Sequence, residues 1–279
     1  MKILIVGLGL IGGSYAMGLS RMGHQVYGMD QNLQALVYAK QKGYIQEEDF
    51  KVEEVISFVD VIILSIYPQA ILSFMKEYQA YFKENQIITD VCGVKCSFIY
   101  DIQEYVGKAI YVSHHPMAGK EKIGIEYADA DIFKGANFLI TPLEHTPLTA
   151  IKKLDELARD LGFKTITVIS PEKHDQMIGF TSQLTHAIAV SLVNSDHDKD
   201  TVHFIGDSYR DLTRIAMINE KLWSELFLEN RAALLAHMES FERELDILKE
   251  ALKENDKQKL EELFQSSTEI RRKMEKCVN

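Results

Sequence analysis

The first thirty residues join a short apolar run, a glycine-rich turn, a helical pattern and a second strand, and this order permits few folds. Lys2–Val6 has the continuous apolar character of a strand that is buried on both faces. The letters GLGLIGGS follow at once over residues 7–14, and the next strand, over residues 24–30, ends in an acidic residue. We therefore expect the chain to begin as an α/β fold with a tight turn between its first strand and first helix.

The glycines of this turn have separate steric tasks, and together they predict a dinucleotide site. Gly7 allows the tight turn, Gly9 lets the backbone approach a pyrophosphate, and Gly12 permits close packing of the helix on the strand. The helix N-terminus at Leu10 and Ile11 would offer N–H groups and a positive dipole end to the phosphates. The alternative is a flavodoxin-like turn that binds no dinucleotide.

The acidic residue at the end of the second strand indicates which dinucleotide is bound. Asp30 lies 23 residues after Gly7, close to the spacing of about 20 for an acid that binds the ribose 2′-hydroxyl. A carboxylate would repel a 2′-phosphate, and no Arg or Lys follows at positions 31–33. The sequence therefore predicts NAD rather than NADP, and we also place Pro68, after the strand at 59–66, on the cofactor side.

Charge and cysteine content exclude several other classes of protein. The formal net charge of −10 argues against nucleic acid or an anionic membrane as a partner. No segment has the roughly 20 apolar residues of a membrane span. The three cysteines, Cys92, Cys96 and Cys277, form no CxxC pair, so neither a metal site nor a disulfide framework is predicted. The cytoplasm is the expected compartment.

The pattern of elements divides the chain into two domains. Strands and helices alternate up to residue 169, which predicts a mostly parallel sheet with helices on both faces. Ser170, Pro171 and Glu172 form a strong helix start, and no strand pattern follows. We expect an α/β dinucleotide-binding (Rossmann) domain over residues 1–169 and an all-α domain over residues 170–279. The apolar stripe after residue 219 would pack intramolecularly or form a homodimer interface.

Histidines occur at two places where chemistry is expected. A strand at 110–113 runs into His114 and His115, and ligands bind beyond the carboxyl ends of such strands. Because neighbours on an extended chain point to opposite sides, we expect one of these rings to face the cleft rather than both to bind a metal. In the helical region, Asp175 and His186 would lie about three turns apart on one helix.

Several motifs in this order resemble the prephenate/arogenate dehydrogenase family of tyrosine biosynthesis. They are GLGLIGGS, HHPMAGKE, HDQ, SQLTH, and DLTRIA followed by Trp223, and the resemblance covers essentially the whole chain. It implies a dinucleotide-binding domain followed by a helical dimerisation domain, and therefore a homodimer. The implied reaction is the NAD-dependent oxidative decarboxylation of prephenate to 4-hydroxyphenylpyruvate and CO2.

The resemblance also implies roles for individual residues. His115 matches the catalytic histidine, which accepts a hydrogen bond from the substrate's ring hydroxyl and takes its proton. Arg214 would bind a substrate carboxylate, and His186 would approach the pyruvyl side chain. Three further residues are expected near the substrate, namely Glu121, Asp175 and Trp223. One position departs from the family, since Gly93 stands where a serine often contacts the hydroxyl.

Alternatives to prephenate oxidation remain open on the sequence. Arogenate, which would give tyrosine, carries an ammonium group in place of the keto oxygen, and His186 as a hydrogen-bond donor favours prephenate. A 3-hydroxyacid dehydrogenase or an imine reductase shares the architecture but does not require these motifs. A non-catalytic NAD-binding regulatory protein is the alternative from another class.

Overall fold

The computed structural model of the protein describes residues 1–47 and 49–278, with side chains up to residue 275. The side chain of Cys277 therefore lies outside the described part. Contacts divide the chain into one unit from Met1 to Arg231 and a second from Ala232 to Asn279. The functional residues named above all belong to the first unit.

The first unit is built on a parallel sheet, as the sequence predicts. Its strands lie in the order β2-β1-β3-β4-β5, and every described pair is parallel. They are β1 (Lys2–Val6), β2 (Gln25–Met29), β3 (Val61–Leu64), β4 (Ile87–Asp90) and β5 (Ile110–Tyr111). Because β1 lies inside the sheet, the turn that follows it opens at the carboxyl edge, where α/β folds bind their ligands.

Helices cover both faces of this sheet. Ile3 and Ile5 of β1 pack in one cluster with residues of the first and fifth helices. Leu4 and Val6 point to the other face and pack with residues of the third and fourth helices. These helices and the one between them are α1 (Leu10–Arg21), α2 (Leu33–Gln41), α3 (Val52–Phe58), α4 (Pro68–Tyr78) and α5 (Leu148–Asp160). Alternate residues of one strand thus hold the two layers together.

A second, smaller sheet departs from the predicted single sheet. The expected strand at 110–113 stops at Tyr111, and a new strand β6 (Ser113–Pro116) pairs antiparallel with β7 (Asn137–Thr141), which pairs parallel with β8 (Thr165–Val168). The register places His115 opposite Leu139. The Lys95 ammonium donates to the backbone carbonyl of His114 at 2.8 Å, which fixes the chain where it leaves the first sheet.

Only helices follow β8 within the described residues, which confirms the predicted change of class. The helices of this part of the first unit are α6 (Pro171–Ile178), α7 (Thr185–Asn194), α8 (Asp207–Thr213) and α9 (Glu220–Glu229). A π-helical segment, Gly179–Leu184, separates α6 from α7. Its i→i+5 hydrogen bonds add a residue to each turn. Residues 171–194 thus form one helical run through Asp175 and His186, as predicted, but the π segment changes the register between these two residues.

The second unit contains the C-terminal part of α10 (Arg231–Lys253) and α11 (Lys257–Val278). Both helices expose large apolar side chains, namely Leu235, Phe241, Leu245, Ile247, Leu252, Phe264, Ile270 and Met274. None of the described helices is long and apolar enough to cross a bilayer.

Candidate active site

The glycine turn after β1 excludes side chains at two positions. Gly7 has a φ of +90°, and a Cβ at this position would lie 2.3 Å from the carbonyl oxygen of Ser65. A Cβ on Gly12 would lie 1.8 Å from the carbonyl oxygen of Gly7. Neither glycine lines either of the two cavities described below, and the close contacts at both positions let the chain after β1 and β3 pack against α1.

The N-terminus of α1 opens into a large cavity with a volume of about 630 Å³. Gly9, Leu10 and Ile11 line it, and a Cβ on Gly9 would meet nothing within 4 Å. The first turn of α1 has no acidic residue and no capping side chain. Its N–H groups are therefore available to an anion, and the residues present fit a dinucleotide pyrophosphate.

Asp30 and Pro68 flank this cavity in different ways. Pro68 begins α4 and lines the cavity. Asp30 lies at the end of β2, where one carboxylate oxygen accepts the Leu8 N–H at 2.6 Å and the other accepts the Asn32 N–H at 2.7 Å. These bonds orient the carboxylate beside the glycine turn, although Asp30 is not itself a lining residue.

Replacing Asp30 with serine should weaken NAD binding and narrow the preference for NAD over NADP. A hydrogen bond from a hydroxyl to a charged acceptor contributes about 1.5–3 kcal/mol. Loss of this free energy of binding should raise the KM for NAD by about tenfold or more. Asp60→Ser is the matched control, because Asp60 accepts the Lys2 N–H at 2.9 Å at the other end of β1. Steady-state kinetics with both cofactors check this, and equal effects of the two substitutions would contradict the assigned role of Asp30.

The second cavity, of about 330 Å³, adjoins residues of the helical region. Ser182, Gln183 and His186 line it, but do not line the larger cavity. Residues that line both cavities are Gly93, His115, Pro116, Ala118, Gly119, Lys120, Glu121, Met217, Trp223 and Leu226. His115 therefore lies where a cofactor cavity and a second ligand cavity meet.

The neighbouring histidines of β6 point to opposite sides, as an extended strand requires. The His114 ring is fully buried and lies 2.9 Å from the Tyr15 hydroxyl and 2.6 Å from the Thr89 hydroxyl. Burial lowers the pKa of His114 to about 3, so its ring is a neutral part of the core. His115 is only half-buried and faces the cavities.

A chain of hydrogen bonds behind His115 fixes the tautomer of its ring. The Asp175 carboxylate accepts from His174 Nδ1 at 2.7 Å, because a carboxylate can only accept. His174 Nε2 then carries a lone pair and accepts from His115 Nδ1 at 2.9 Å. The remaining nitrogen of His115, Nε2, is left as a hydrogen-bond acceptor. This is the protonation state that a general base needs.

The surroundings also keep His115 neutral. Burial lowers its pKa well below the usual value, and the neighbouring His174 and the Lys95 ammonium act in the same direction. Burial lowers the pKa of His174 as well, although its bond to Asp175 opposes the shift. Near neutral pH both rings are therefore uncharged, and the lone pair on His115 Nε2 is available.

Asp175, expected near the substrate, lies behind the cavity instead. Its two carboxylate oxygens accept the backbone N–H groups of Lys95 at 2.9 Å and Cys96 at 2.8 Å, in addition to the bond from His174. Asp175 is buried and lines neither cavity. Its partners in the structure are therefore His174 and two backbone N–H groups, and its contact with substrate stays a prediction.

The other predicted substrate residues gather at the smaller cavity. His186 stacks on Trp223 with ring centroids 3.7 Å apart, and His186 Nδ1 donates to the carbonyl of Ser182 at 2.9 Å. Glu121 lines the cavity and forms an ion pair with Arg214, whose side chain is exposed at the cavity edge. Arg214 itself is not a lining residue in this arrangement.

The position that departs from the family pattern lies beside the base. A Cβ on Gly93 would lie 3.7 Å from His115 Cε1 and 3.8 Å from His115 Nε2, which is ordinary contact distance. There is therefore room for a small side chain, and its absence leaves space next to the lone pair of His115.

Two residues that serve this site were not identified as functional from the sequence. They are His174, which begins the HDQ motif, and Lys95, which lies two residues after Gly93. Lys95 is fully buried, and its ammonium bonds to Asp90 at 2.9 Å and to the carbonyl of His114 at 2.8 Å. A lysine in an apolar stretch was the available signal, since lysine is almost never fully buried unless it is paired.

Two family models match successive parts of this chain. The model described as "Prephenate dehydrogenase, nucleotide-binding domain" matches residues 15–167. The model described as "Prephenate dehydrogenase, dimerization domain" matches residues 170–266. Together these matches cover most of the chain and include every residue that lines the smaller cavity.

Three individual proteins are similar to this chain over nearly its whole length. The prephenate dehydrogenase of Lactococcus lactis is 30% identical, over 98% of this chain and 77% of its own. The cyclohexadienyl dehydrogenase of Zymomonas mobilis is 30% identical, over 96% and 94%. The crystal structure of A. aeolicus prephenate dehydrogenase with hydroxyphenyl propionate and NAD+ is 31% identical, with a TM-score of 0.87 over 98% of each chain.

Proposed function

The chain belongs to the prephenate dehydrogenase family, and from this membership and the geometry of the cleft we propose that it oxidises and decarboxylates prephenate with His115 as the base. The enzyme is an NAD-dependent oxidoreductase of tyrosine biosynthesis. The products are 4-hydroxyphenylpyruvate, CO2 and the reduced cofactor.

The observation that carries this proposal is the place and tautomer of His115. Its ring lines both cavities, and the bonds through His174 to Asp175 leave the Nε2 lone pair unoccupied within the described chain. The N-terminus of α1 lines one of these cavities, and His186 lines the other. A base between a cofactor and a hydroxyl-bearing ring is the arrangement that this oxidation requires.

Each part of the cleft has a defined task in the reaction. When bound, NAD supplies the acceptor for the hydride that leaves C4 of the substrate ring. His115 Nε2 accepts the hydrogen bond of the C4 hydroxyl, takes its proton as the carbon is oxidised, and returns it to the phenolic oxygen. Loss of CO2 makes the ring aromatic. The Asp175 carboxylate stabilises the positive charge on the imidazole pair while the proton is held.

Substrate carboxylates are held at the edge of the smaller cavity. Arg214 presents a planar fork of donors that matches a carboxylate, and its partner Glu121 lines the cavity. We infer that a substrate carboxylate replaces Glu121 as the partner of Arg214. Trp223 provides an apolar wall and fixes the His186 ring by stacking.

We further propose that the dinucleotide-binding domain ends at residue 169 and that the substrate and dimerisation domain begins at residue 170. We also propose that the protein forms a homodimer through its helical domain and acts in the cytoplasm. The matched dimerization model and the exposed apolar side chains of α10 and α11 support the dimer. Cys92 and Cys96 are free thiols, which a reducing compartment preserves. Light scattering should give twice the chain mass of 31.8 kDa, and a monomer at micromolar concentration would contradict the dimer.

The direct test is the appearance of NADH absorbance with purified protein, prephenate and NAD. Turnover with prephenate and formation of 4-hydroxyphenylpyruvate are expected, whereas NADP should be a poor substitute. Binding of NAD without turnover of any cyclohexadienyl substrate would favour a regulatory role and overturn the proposal.

A further inference from the structure

One nitrogen of the His186 ring is committed to its own helix. Nδ1 lies 2.9 Å from the carbonyl oxygen of Ser182. Because a carbonyl can only accept, Nδ1 must carry a hydrogen in every protonation state of the ring. Nε2 makes no hydrogen bond to any described residue, and the ring lines the smaller cavity. The chemistry that His186 offers to a ligand is therefore set by Nε2 alone.

The fixed tautomer changes what His186 can bind. In the neutral ring, Nε2 has a lone pair and can only accept a hydrogen bond, whereas in the protonated ring it can only donate one. The side chain of prephenate ends in a keto acid, which accepts. The side chain of arogenate carries an ammonium group, which donates. The expectation that His186 donates to the keto group thus holds only for its protonated form.

We propose that His186 selects between these two substrates by its protonation state, so that the neutral ring admits the ammonium side chain and the protonated ring admits the keto acid. This inference rests on the proposed function, since it concerns the same cavity. It makes His186 the residue that sets the ratio of arogenate oxidation to prephenate oxidation.

The groups around His186 favour the neutral ring in the free enzyme. Burial lowers the pKa of His186, the Ser182 carbonyl and the Glu121 carboxylate oppose this shift, and the Arg214 guanidinium reinforces it. Lys120 and His115 are the other titratable groups that line the cavity. An ammonium side chain would meet an acceptor on His186 and a negative charge on Glu121, whereas a keto acid requires His186 to take up a proton.

The test compares kcat/KM for arogenate and prephenate between about pH 5 and 8. Both substrates present the same ring hydroxyl to His115, so the titration of His115 cancels in the ratio. The ratio of arogenate to prephenate should rise with pH by up to about tenfold per unit, the limit for one proton. His186→Gln should make the ratio independent of pH. His197→Gln, the same change at an exposed histidine, should behave as the unchanged protein.

A ratio that stays flat in the unchanged protein, or a slope that persists in His186→Gln, overturns the role of His186. Turnover of prephenate with a flat ratio leaves the proposed function intact, whereas no turnover of either substrate overturns the proposed function itself. The two failures are therefore distinguishable.

Binding of the two products gives a second readout that does not need catalysis. Calorimetric titration near neutral pH, in buffers of different ionisation enthalpy, reports protons taken up on binding. We expect 4-hydroxyphenylpyruvate to bind with uptake of up to one proton and tyrosine to bind with none. In His186→Gln, proton uptake with the keto acid should disappear. Equal uptake with both products would contradict the proposal.

Discussion

His115→Asn is expected to lower kcat for prephenate by about 10²–10⁴-fold, the contribution of a positioned general base. The substitution removes the Nε2 lone pair that faces the cavities and leaves the glycine turn and α1 untouched. Affinity for NAD and the melting temperature should therefore change little. We would measure kcat by steady-state kinetics, NAD affinity by fluorescence titration and the melting temperature by a thermal melt. Near-normal turnover of a folded variant would contradict the mechanism.

Two nearby histidines serve as controls for this substitution. His174→Phe removes the acceptor of the His115 Nδ1 hydrogen. We expect a smaller loss of kcat together with a shift of the acid limb of the pH profile, because the His115 tautomer and charge are no longer fixed. His114→Gln alters a buried ring that bonds to Tyr15 and Thr89. It should lower stability and leave the pH profile in place, and the same profile in both variants would argue against the role of His174.

Lys95→Met should destabilise the folded protein by about 3–5 kcal/mol, the usual cost of removing one partner from a buried ion pair. The side chains of Lys95 and Asp90 are both fully buried. Burial alone would raise the pKa of Asp90, but the Lys95 ammonium and the hydrogen bond from the Tyr111 hydroxyl keep it below its usual value. Without Lys95, a buried carboxylate remains without its counter-charge, and the carbonyl of His114 loses its donor.

The contribution of Asp90 to the pH dependence of stability should reverse in Lys95→Met. In the unchanged protein the pKa of Asp90 is lowered, so its contribution is present above the carboxyl pKa of the unfolded chain and lost as pH falls through the folded pKa. In Lys95→Met the folded pKa is raised, so stability should increase as pH falls. Urea unfolding of the two proteins at two pH values measures the loss of stability and its change with pH. Lys83→Met, which breaks a partly exposed pair with Asp60, should cost about 1 kcal/mol or less, and an equal loss in both variants would contradict the argument.

Local patterns were sufficient for the cofactor half of the site. The turn from Gly7 to Gly12, the N-terminus of α1 and the position of Asp30 depend on residues close together in sequence and on strand order, and both leave clear signals. The alternation that separates His114 from His115 is likewise a property of any extended strand. These features were therefore predictable without knowledge of tertiary contacts.

The base and its partners depend on contacts between distant segments. His115 and His174 are 59 residues apart, and Lys95 and Asp175 are 80 apart. No periodicity within one element reports such a pair. The π segment Gly179–Leu184 was not predicted either, because its sequence, GFTSQL, does not distinguish i→i+4 from i→i+5 bonding. The contact of Asp175 with His174 Nδ1, and through it with His115, therefore had no signal in the sequence.

The pairing of β6 with β7 has a consequence for how the chain tolerates changes in length. Ser113 opposite Thr141 and His115 opposite Leu139 define which imidazole turns toward the ligands. Inserting one residue between Ser113 and His114 would exchange the faces of the strand to which the two histidines point. Both histidines would still be present, yet the buried one would stand in the cleft and the base would enter the core. Homologues that vary in length should therefore place their gaps in the loop between β6 and β7, never inside the four residues that set this alignment.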